Sequence, residues 1–409
     1  MWSLLSIALR NVLRNRRRTM ITLAALLLGV GVMVGIRGVL NGLQRALVQT
    51  AVSGQTGAIQ VHHAGYLKNV IASPLTLDMP ADEDFLNKIR KVPHVTAVAP
   101  RILFAGMINV GDQTLFAAMQ AIDPKREFDA VPLRKMTVSD GGRFTSGKIA
   151  DAVLLTAELE KGLRGTPGQA QLPAAVLGPD KDGALSGENI TIAGQLKLNL
   201  PGEKKLAVVP LALAQRLLKM EGRATELVIA VDNIDHIPEV AASLRRVLGS
   251  DYEVHTWDQV ASFVKQAMER QNLILSLVAT VFMILMLLGV ANTVLMSVLE
   301  RTREIGTMMA VGVRRGKILA LFLIEAATIG LLGGVAGGLA GLGVVTWLEQ
   351  RGIEVTMPGS AVPFIIRPYT TLTYLAFVVS LAAGGSLLFA VYPSWRASRM
   401  RPVQALAGG

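Results

Sequence analysis

The residues able to do chemistry are few, and their spacing fits no catalyst. The five histidines are scattered. His62 and His63 are adjacent, and neighbours on a strand point to opposite faces, which is poor metal-ligand geometry. No metal site is expected. Gly312-Val-Arg-Arg-Gly316-Lys317 comes nearest to a phosphate-cradling loop, but its spacing is short and Ile318 stands where a serine or threonine would hold magnesium. No Gly-x-Ser-x-Gly elbow occurs. Asp82 and Asp84 sit at a helix start, where they complement the dipole. Neither a catalytic residue nor a cofactor of the chain's own is expected. The chemistry that remains is docking. Glu300 to Lys317, ERTREIGTMMAVGVRRGK, is a short charged segment between two long apolar runs. Its Ile305, Met308, Met309 and Gly312 recur at i, i+3, i+4 and i+7, which predicts a short helix with one apolar face. Arg301, Arg303, Arg314, Arg315 and Lys317 make the loop basic, and short basic loops between membrane helices stay in the cytoplasm. Such a helix can dock on a cytoplasmic partner and transmit a push.

The elements that must position this loop follow from hydropathy. The chain has 409 residues, 51% of them hydrophobic, and that apolar content is concentrated. Thr19–Ile36, Gln271–Leu299 and Pro368–Trp395 carry no charge, and Ile318–Leu348 carries only Glu325. About 20 apolar residues cross the hydrocarbon core. Four transmembrane helices are therefore expected, over 19–42, 272–299, 318–348 and 371–395, with a periplasmic-side loop at 349–370. Residues 43–271 carry 25 basic and 25 acidic residues, so the net charge of +11 comes from elsewhere. It gathers at Arg10, Arg14 and Arg16–Arg18, in the 300–317 loop, and in the 396–409 tail at Arg396, Arg399 and Arg401. With four spans these places share one side, which predicts both termini inside. This placement argues against nucleic-acid binding, although the pI is about 10. The first apolar run reads as a retained anchor. Residues 1–18, with Trp2, Leu5, Leu9 and Leu13 on one stripe, read either as an interfacial helix or as a plain extension of span one. Arg37 is placed to snorkel to the outer interface.

Between spans one and two, strand and helix patterns interleave, which predicts an α+β domain. Strands are expected at Gly57–His63, Val95–Ala99, Ala105–Val110, Thr114–Ala121, Asn189–Ala193, Leu206–Val209, Glu226–Val231 and Tyr252–Thr256. Helices are expected at Asp82–Lys91, Pro210–Met220 and Pro238–Leu248, with a Gly/Pro-rich tract from Gly162 to Pro179. Residues 43–124 and 226–256 are expected to form one subdomain and 125–225 an inserted one. Trp257–Gln271, without Gly or Pro, is expected as a stalk leading stiffly into span two. With no cysteine, nothing staples this domain. In span three, Gly330, Gly334 and Gly338 form one series at four-residue spacing, and Gly333, Gly337 and Gly341 form another. Small residues let helices approach closely in lipid, within the chain or across a dimer. Glu325 is an intramembrane carboxylate, expected to reach the cytoplasmic interface or pair with a neighbouring helix. Asn292 is expected to bond between helices.

Three segments carry a family resemblance. ANTVLMSVLERTREIGTMMAVGVRRGKILALFLIEAATIGLLGGVAGGLAG, RNVLRNRRRTMITLAALLLGVGV and YPSWRASRMRPVQAL resemble FtsX-like (MacB-type) ABC transporter permeases. GQTGAIQVHHAGYL and VVPLALAQRLL resemble the LolC/LolE lipoprotein-releasing branch. The resemblance implies an α-helical membrane protein of the bacterial inner membrane, multi-pass, with four transmembrane helices and a large α+β periplasmic domain inserted between the first and second. It implies a second permease protomer, identical or a paralogue, and a separate cytoplasmic ABC ATPase dimer that binds ATP and magnesium. Membrane lipids and a periplasmic carrier or adaptor are further implied partners. Glu300, Arg301, Glu304, Ile305 and Gly312 match the family's coupling helix, which docks on the ATPase; Arg303, Met308 and Met309 lie on the same segment. The implied function is mechanotransmission: ATP-driven closure tilts the spans and moves the periplasmic domain to extract or export lipoprotein, lipid or hydrophobic substrate. A signalling device that activates a cell-wall hydrolase is the alternative the family also offers. A receptor without ATPase coupling fits the topology and leaves the 300–317 helix without a role.

Overall fold

The computed structural model describes residues 16–72, 74–139, 144, 151–164, 172–196, 205–355 and 364–399. The helix expected at 1–18 falls almost wholly outside these residues, as does the tail beyond Arg399. The chain separates into two units. One is a membrane unit of Met1–Arg45, Met268–Ile353 and Ile365–Gly409; the other is Ala46–Ala267 with Glu354–Phe364.

In chain order the elements begin with α1 (Arg16–Ala51), β1 (Ile59–His63), β2 (Met79–Pro80), α2 (Glu83–Arg90), β3 (Val95–Val110) and β4 (Gln113–Ile122). Then come α3 (Pro124–Ala130), α4 (Arg134–Thr137), β5 (Val138–Ser139), β6 (Ala152–Thr156), α5 (Ala157–Arg164), β7 (Leu172–Pro179), β8 (Leu185–Leu196), β9 (Leu206–Pro210) and α6 (Leu211–Leu218). β10 (Arg223–Ala224), β11 (Glu226–Val231), α7 (Ile237–Leu248), β12 (Tyr252–Thr256), α8 (Trp257–Val260) and α9 (Ser262–Glu300) follow. The last are α10 (Thr302–Ala310), α11 (Arg315–Arg351), β13 (Ile353–Val355), β14 (Phe364–Ile366) and α12 (Leu372–Ser398).

The second unit is built on one sheet in the order β12-β1-β11-β3-β4-β9-β6-β8-β5, with β7 pairing β3 and β8. Local chemistry sets many of the boundaries. Asp82 caps α2 by accepting the Phe85 amide, and Asp123 with Pro124 starts α3. The β7–β8 turn is closed by Asp180, whose Oδ1 accepts the amides of Asp182 and Ala184. The two strands expected at 95–99 and 105–110 are one 16-residue strand, β3. It changes partner at Arg101, pairing β11 before that residue and β4 after it, so Pro100 sits inside a ladder without ending it. β6 and β7 were not expected. β7 lies in a tract rich in alanine, glycine and proline, and its pairing comes from β8 rather than from its own composition.

The expected division at residue 125 is no break in the core. Ile102, Phe104 and Met119 pack with Leu155, Val176 and Leu213 in one buried cluster that spans it. One buried cluster of the unit is ionic. Arg101 is 2% exposed. Its Nε donates to Glu127 Oε2 at 2.9 Å, its Nη2 to Glu127 Oε1 at 2.7 Å and to the Gln55 carbonyl at 2.8 Å, and its Nη1 to Glu226 Oε1 at 3.2 Å. Arg134 Nη1 also donates to Glu127, at 3.0 Å. A bidentate guanidinium–carboxylate pair with its remaining groups satisfied is the form in which buried charge is tolerated.

Four helices among the described residues are long and apolar enough to cross a membrane: Thr19–Thr56, α9, α11 and α12. The fold class is that of a four-helix membrane protein with a large α+β domain between its first and second helices. The expected stalk is interrupted: Ala261 leaves helical geometry at φ −94° and ψ 50°, and the continuous rod begins at Ser262.

Candidate functional site

The 300–317 loop is shorter in helix than its periodicity suggests. α10 covers Thr302–Ala310, and Gly312, at φ +92°, lies in the turn beyond it. That left-handed backbone suits glycine. The Gly312 and Val313 amides bond back to the Met309 and Met308 carbonyls, at 3.1 and 3.0 Å, closing the end of α10. The apolar face predicted for docking points the other way. Ile305 is fully buried among Val290, Val294, Val298, Ile318 and Phe322, and Met308 and Met309 pack against the same cluster. The exposed face consists of Arg303, Glu304, Thr307, Ala310 and Val311. Val311 is 87% exposed. The i, i+3, i+4 signal was sound as helix geometry, but it marks where the helix is held.

Arg301 ties this helix to the bundle. Its Nε lies 3.2 Å from Glu304 on α10 and its Nη1 3.5 Å from Glu325 on α11. Glu325 Oε1 lies 3.5 Å from the Ser297 hydroxyl of α9. The intramembrane carboxylate thus reaches a neighbouring helix and the loop together. Within the chain Asn292 bonds to no neighbouring helix: its side chain is exposed on α9, and Thr293 beside it makes the bond, at 2.7 Å to Thr22 of α1. A period of 3.6 could not decide which of two adjacent residues faces inward. Near the other end of the bundle Arg37 donates to Asn272 at 2.9 Å, which gives its charge a partner inside the chain.

The glycine series meet two different helices. A Cβ at Gly330 would lie 2.7 Å from the Ala382 carbonyl, and one at Gly338 3.0 Å from Leu375; Gly334 also faces Ala382, all on α12. A Cβ at Gly333 would strike Leu26, one at Gly337 the Leu27 carbonyl at 2.7 Å, and one at Gly341 Val34 and the Gly31 carbonyl, all on α1. Both series therefore serve packing within the chain. Gly337→Val is expected to cost about 1–3 kcal/mol, because its obstacle is backbone. Gly343→Ala, with nothing within 4 Å, is the control. Thermal unfolding in detergent checks the pair, and equal midpoints would refute the packing account. Along α1 and α11 runs an open apolar groove of ≈ 600 Å³, lined by Leu27, Gly31, Ile36, Ala340 and Val344.

In the other unit the fold assembles a cluster that spacing concealed. His94 Nδ1 and His236 Nδ1 each lie 2.8 Å from an oxygen of Asp232. Hydrogen bonds from His236 and then His94 bring the Asp232 carboxyl down to about 2. The bond to Asp232 raises His94 above the ordinary histidine value. These three side chains are the metal-capable group among the described residues.

Comparison with known proteins decides the family. Residues 19–247 match the MacB-like periplasmic core domain, and residues 276–402 match the FtsX-like permease C-terminal family. The chain belongs to the FtsX-like, MacB-type permeases. This permease is 25% identical to the macrolide export ATP-binding/permease protein MacB of Acinetobacter baylyi, over 98% of the chain and 58% of that relative. It is 27% identical to the probable syringafactin export ATP-binding/permease protein SyfD of Pseudomonas syringae, over 97% of the chain and 57% of that relative. The chain therefore spans little more than half the length of these relatives. The periplasmic region of MacB from Actinobacillus actinomycetemcomitans overlays 54% of the permease and 98% of that domain, with 10% identity and a TM-score of 0.36. The relatives named carry export names; the lipoprotein-releasing resemblance rests on the two short segments alone. The permease is a multi-pass membrane protein whose second unit corresponds to the MacB-like periplasmic core.

Proposed function

We propose that this permease is the membrane part of a mechanotransmission ABC exporter of the inner membrane, with both termini and the 300–317 loop in the cytoplasm. A cytoplasmic ATPase dimer, binding ATP and magnesium, docks on the exposed face of α10 at Arg303, Thr307, Ala310 and Val311. ATP-driven closure of that dimer displaces α10. Ile305 and the Arg301–Glu325 link pass the displacement to α9 and α11. At 36 and 39 residues, α1 and α9 are about 54 and 58 Å long, against about 30 Å of hydrocarbon, so each extends beyond the bilayer core. Motion of these rods drives the periplasmic unit, which moves a substrate from the outer leaflet or the periplasm.

The observation that carries this reading is α10 itself. It is a short helix clamped on one apolar side by its own bundle and offering a partner a mixed outer face of charged, hydroxyl and small apolar side chains. A second protomer is supported by α9, where Leu285, Leu288 and Asn292 are all exposed. A polar side chain at that depth needs a partner. An amphiphilic or hydrophobic substrate, such as lipid, lipoprotein or an apolar drug, is supported by the apolar groove along α1 and α11.

The absence of cysteine makes the test clean. Val311→Cys is expected to react with an impermeant maleimide only in inside-out vesicles, and to be protected when the ATPase is added. Asp182→Cys, whose native side chain is 76% exposed, is expected to react only from the opposite side. Labelling of both positions from one side would end the proposal.

A further inference from the structure

We infer that His94, Asp232 and His236 form a binding site for one divalent transition-metal ion of the zinc or copper class on the second unit. The mechanism proposed above uses none of the three.

The site is assembled by strand pairing and one short turn. β11 pairs β3 with Val231 opposite Val95, and just beyond that pair the Asp232 amide bonds to the His94 carbonyl at 3.1 Å. This sets two residues far apart in sequence side by side. The 3₁₀ turn Ile234–His236 then returns His236 to Asp232, with Asn233 Oδ1 accepting the Asp235 amide to fix the turn. The outcome is two ring nitrogens, each 2.8 Å from one carboxylate, with all three ligand atoms within 4.8 Å of one another and ring centroids 3.9 Å apart. Zinc bonds to nitrogen and oxygen run about 2.0–2.2 Å, so tetrahedral ligand atoms stand about 3.3 Å apart. Small rotations of the three side chains reach that arrangement. Each ring would hold its proton on Nε2 and turn the Nδ1 lone pair to the ion.

Backbone geometry supports the same conclusion. His94 has φ +68°, and only Lys219 shares a left-handed backbone among the described non-glycine residues. Strain of this kind persists where the surroundings fix it, and it concentrates at binding sites. Ligand chemistry selects the ion. Two imidazoles and one carboxylate suit zinc, copper or nickel, and ferrous iron as well, whereas calcium and magnesium prefer all-oxygen sets. The three side chains are partly exposed, which leaves a fourth position for water or an incoming ligand.

The test uses the full chain without a polyhistidine tag, in detergent, with Cu²⁺ as probe. One equivalent is expected to give a copper EPR spectrum with hyperfine splitting from two imidazole nitrogens. His94→Asn, chosen because asparagine tolerates left-handed backbone, and His236→Gln are each expected to remove one nitrogen. Each should also weaken Zn²⁺ binding, followed by calorimetry, by at least about tenfold. His63→Gln, away from the cluster, should change neither. Binding without saturation at one equivalent, or a two-nitrogen spectrum that survives either ligand substitution, would overturn the assignment.

Discussion

Replacement of Arg101 by methionine is expected to cost about 3–5 kcal/mol of stability, because it takes the bidentate partner from buried Glu127, which keeps only Arg134, and the guanidinium from buried Glu226, which keeps only His62. Glu127 and Glu226 both face Arg101 in an interior closed to water. The loss is in the missing partner rather than in the missing bonds. Arg101→Met combined with Glu226→Gln should recover part of it, since Glu127 keeps Arg134 as counter-charge and the neutral amide removes the charge that faces the new apolar side chain. The pH dependence supplies a second check. Burial pushes the Glu226 carboxyl up, but His62 and Arg101 together bring it below the ordinary range. A depressed carboxyl stabilises above its unfolded value and loses that contribution as pH falls through the folded one. The native chain should hold its midpoint down to about pH 5 and lose stability below. Without Arg101 one of the two lowering partners is gone while burial and His62 remain, so the loss of stability at low pH should be smaller in Arg101→Met than in the native chain. Denaturant unfolding at several pH values measures both effects. A single-variant cost under about 1 kcal/mol would show that water or rearrangement satisfies the carboxylates.

The second large effect is functional. Arg303→Glu combined with Val311→Asp is expected to weaken docking of the ATPase by at least about 2 kcal/mol, on the order of thirtyfold. Both side chains are exposed, so folding should change by no more than about 0.5 kcal/mol. ATPase stimulation in proteoliposomes should collapse while insertion and thermal midpoint hold. Ile305→Asp should fail differently. Its carboxylate would enter the cluster of Val294, Val298 and Phe322, and folded protein should be lost before any docking defect can be read. Met308→Asp, half-buried on the same side, belongs with Ile305. If Arg303→Glu/Val311→Asp couples normally, the outward face of α10 is not the docking surface.

Much of the architecture was legible because the relevant forces are local or collective along the chain. Apolar runs of membrane length, three uncharged and one carrying only Glu325, marked the four long helices. Alternation and capping residues such as Asp82 marked many elements of the second unit. Where pairing alone makes a strand, as in β7, composition was silent. At Pro100 it misled, because a proline is tolerated where a strand changes partner. The 300–317 segment was legible as to place and only half legible as to orientation: Ile305, Met308 and Met309 announce an apolar face without saying whether the bundle or a partner covers it.

The sequence by itself determined the membrane spans, the basic loops and the glycine stripes. Each follows from transfer free energy, charge placement or backbone approach, and each is repeated over many residues. Only the tertiary structure decided that Ile305 is an anchor, that Thr293 rather than Asn292 bonds to α1, and that each glycine stripe has its own partner helix. It alone brought His94 to Asp232 and His236 and closed Arg101 between two carboxylates. Those outcomes depend on single side chains meeting across long separations in sequence, where direction is set by packing and no periodicity records it.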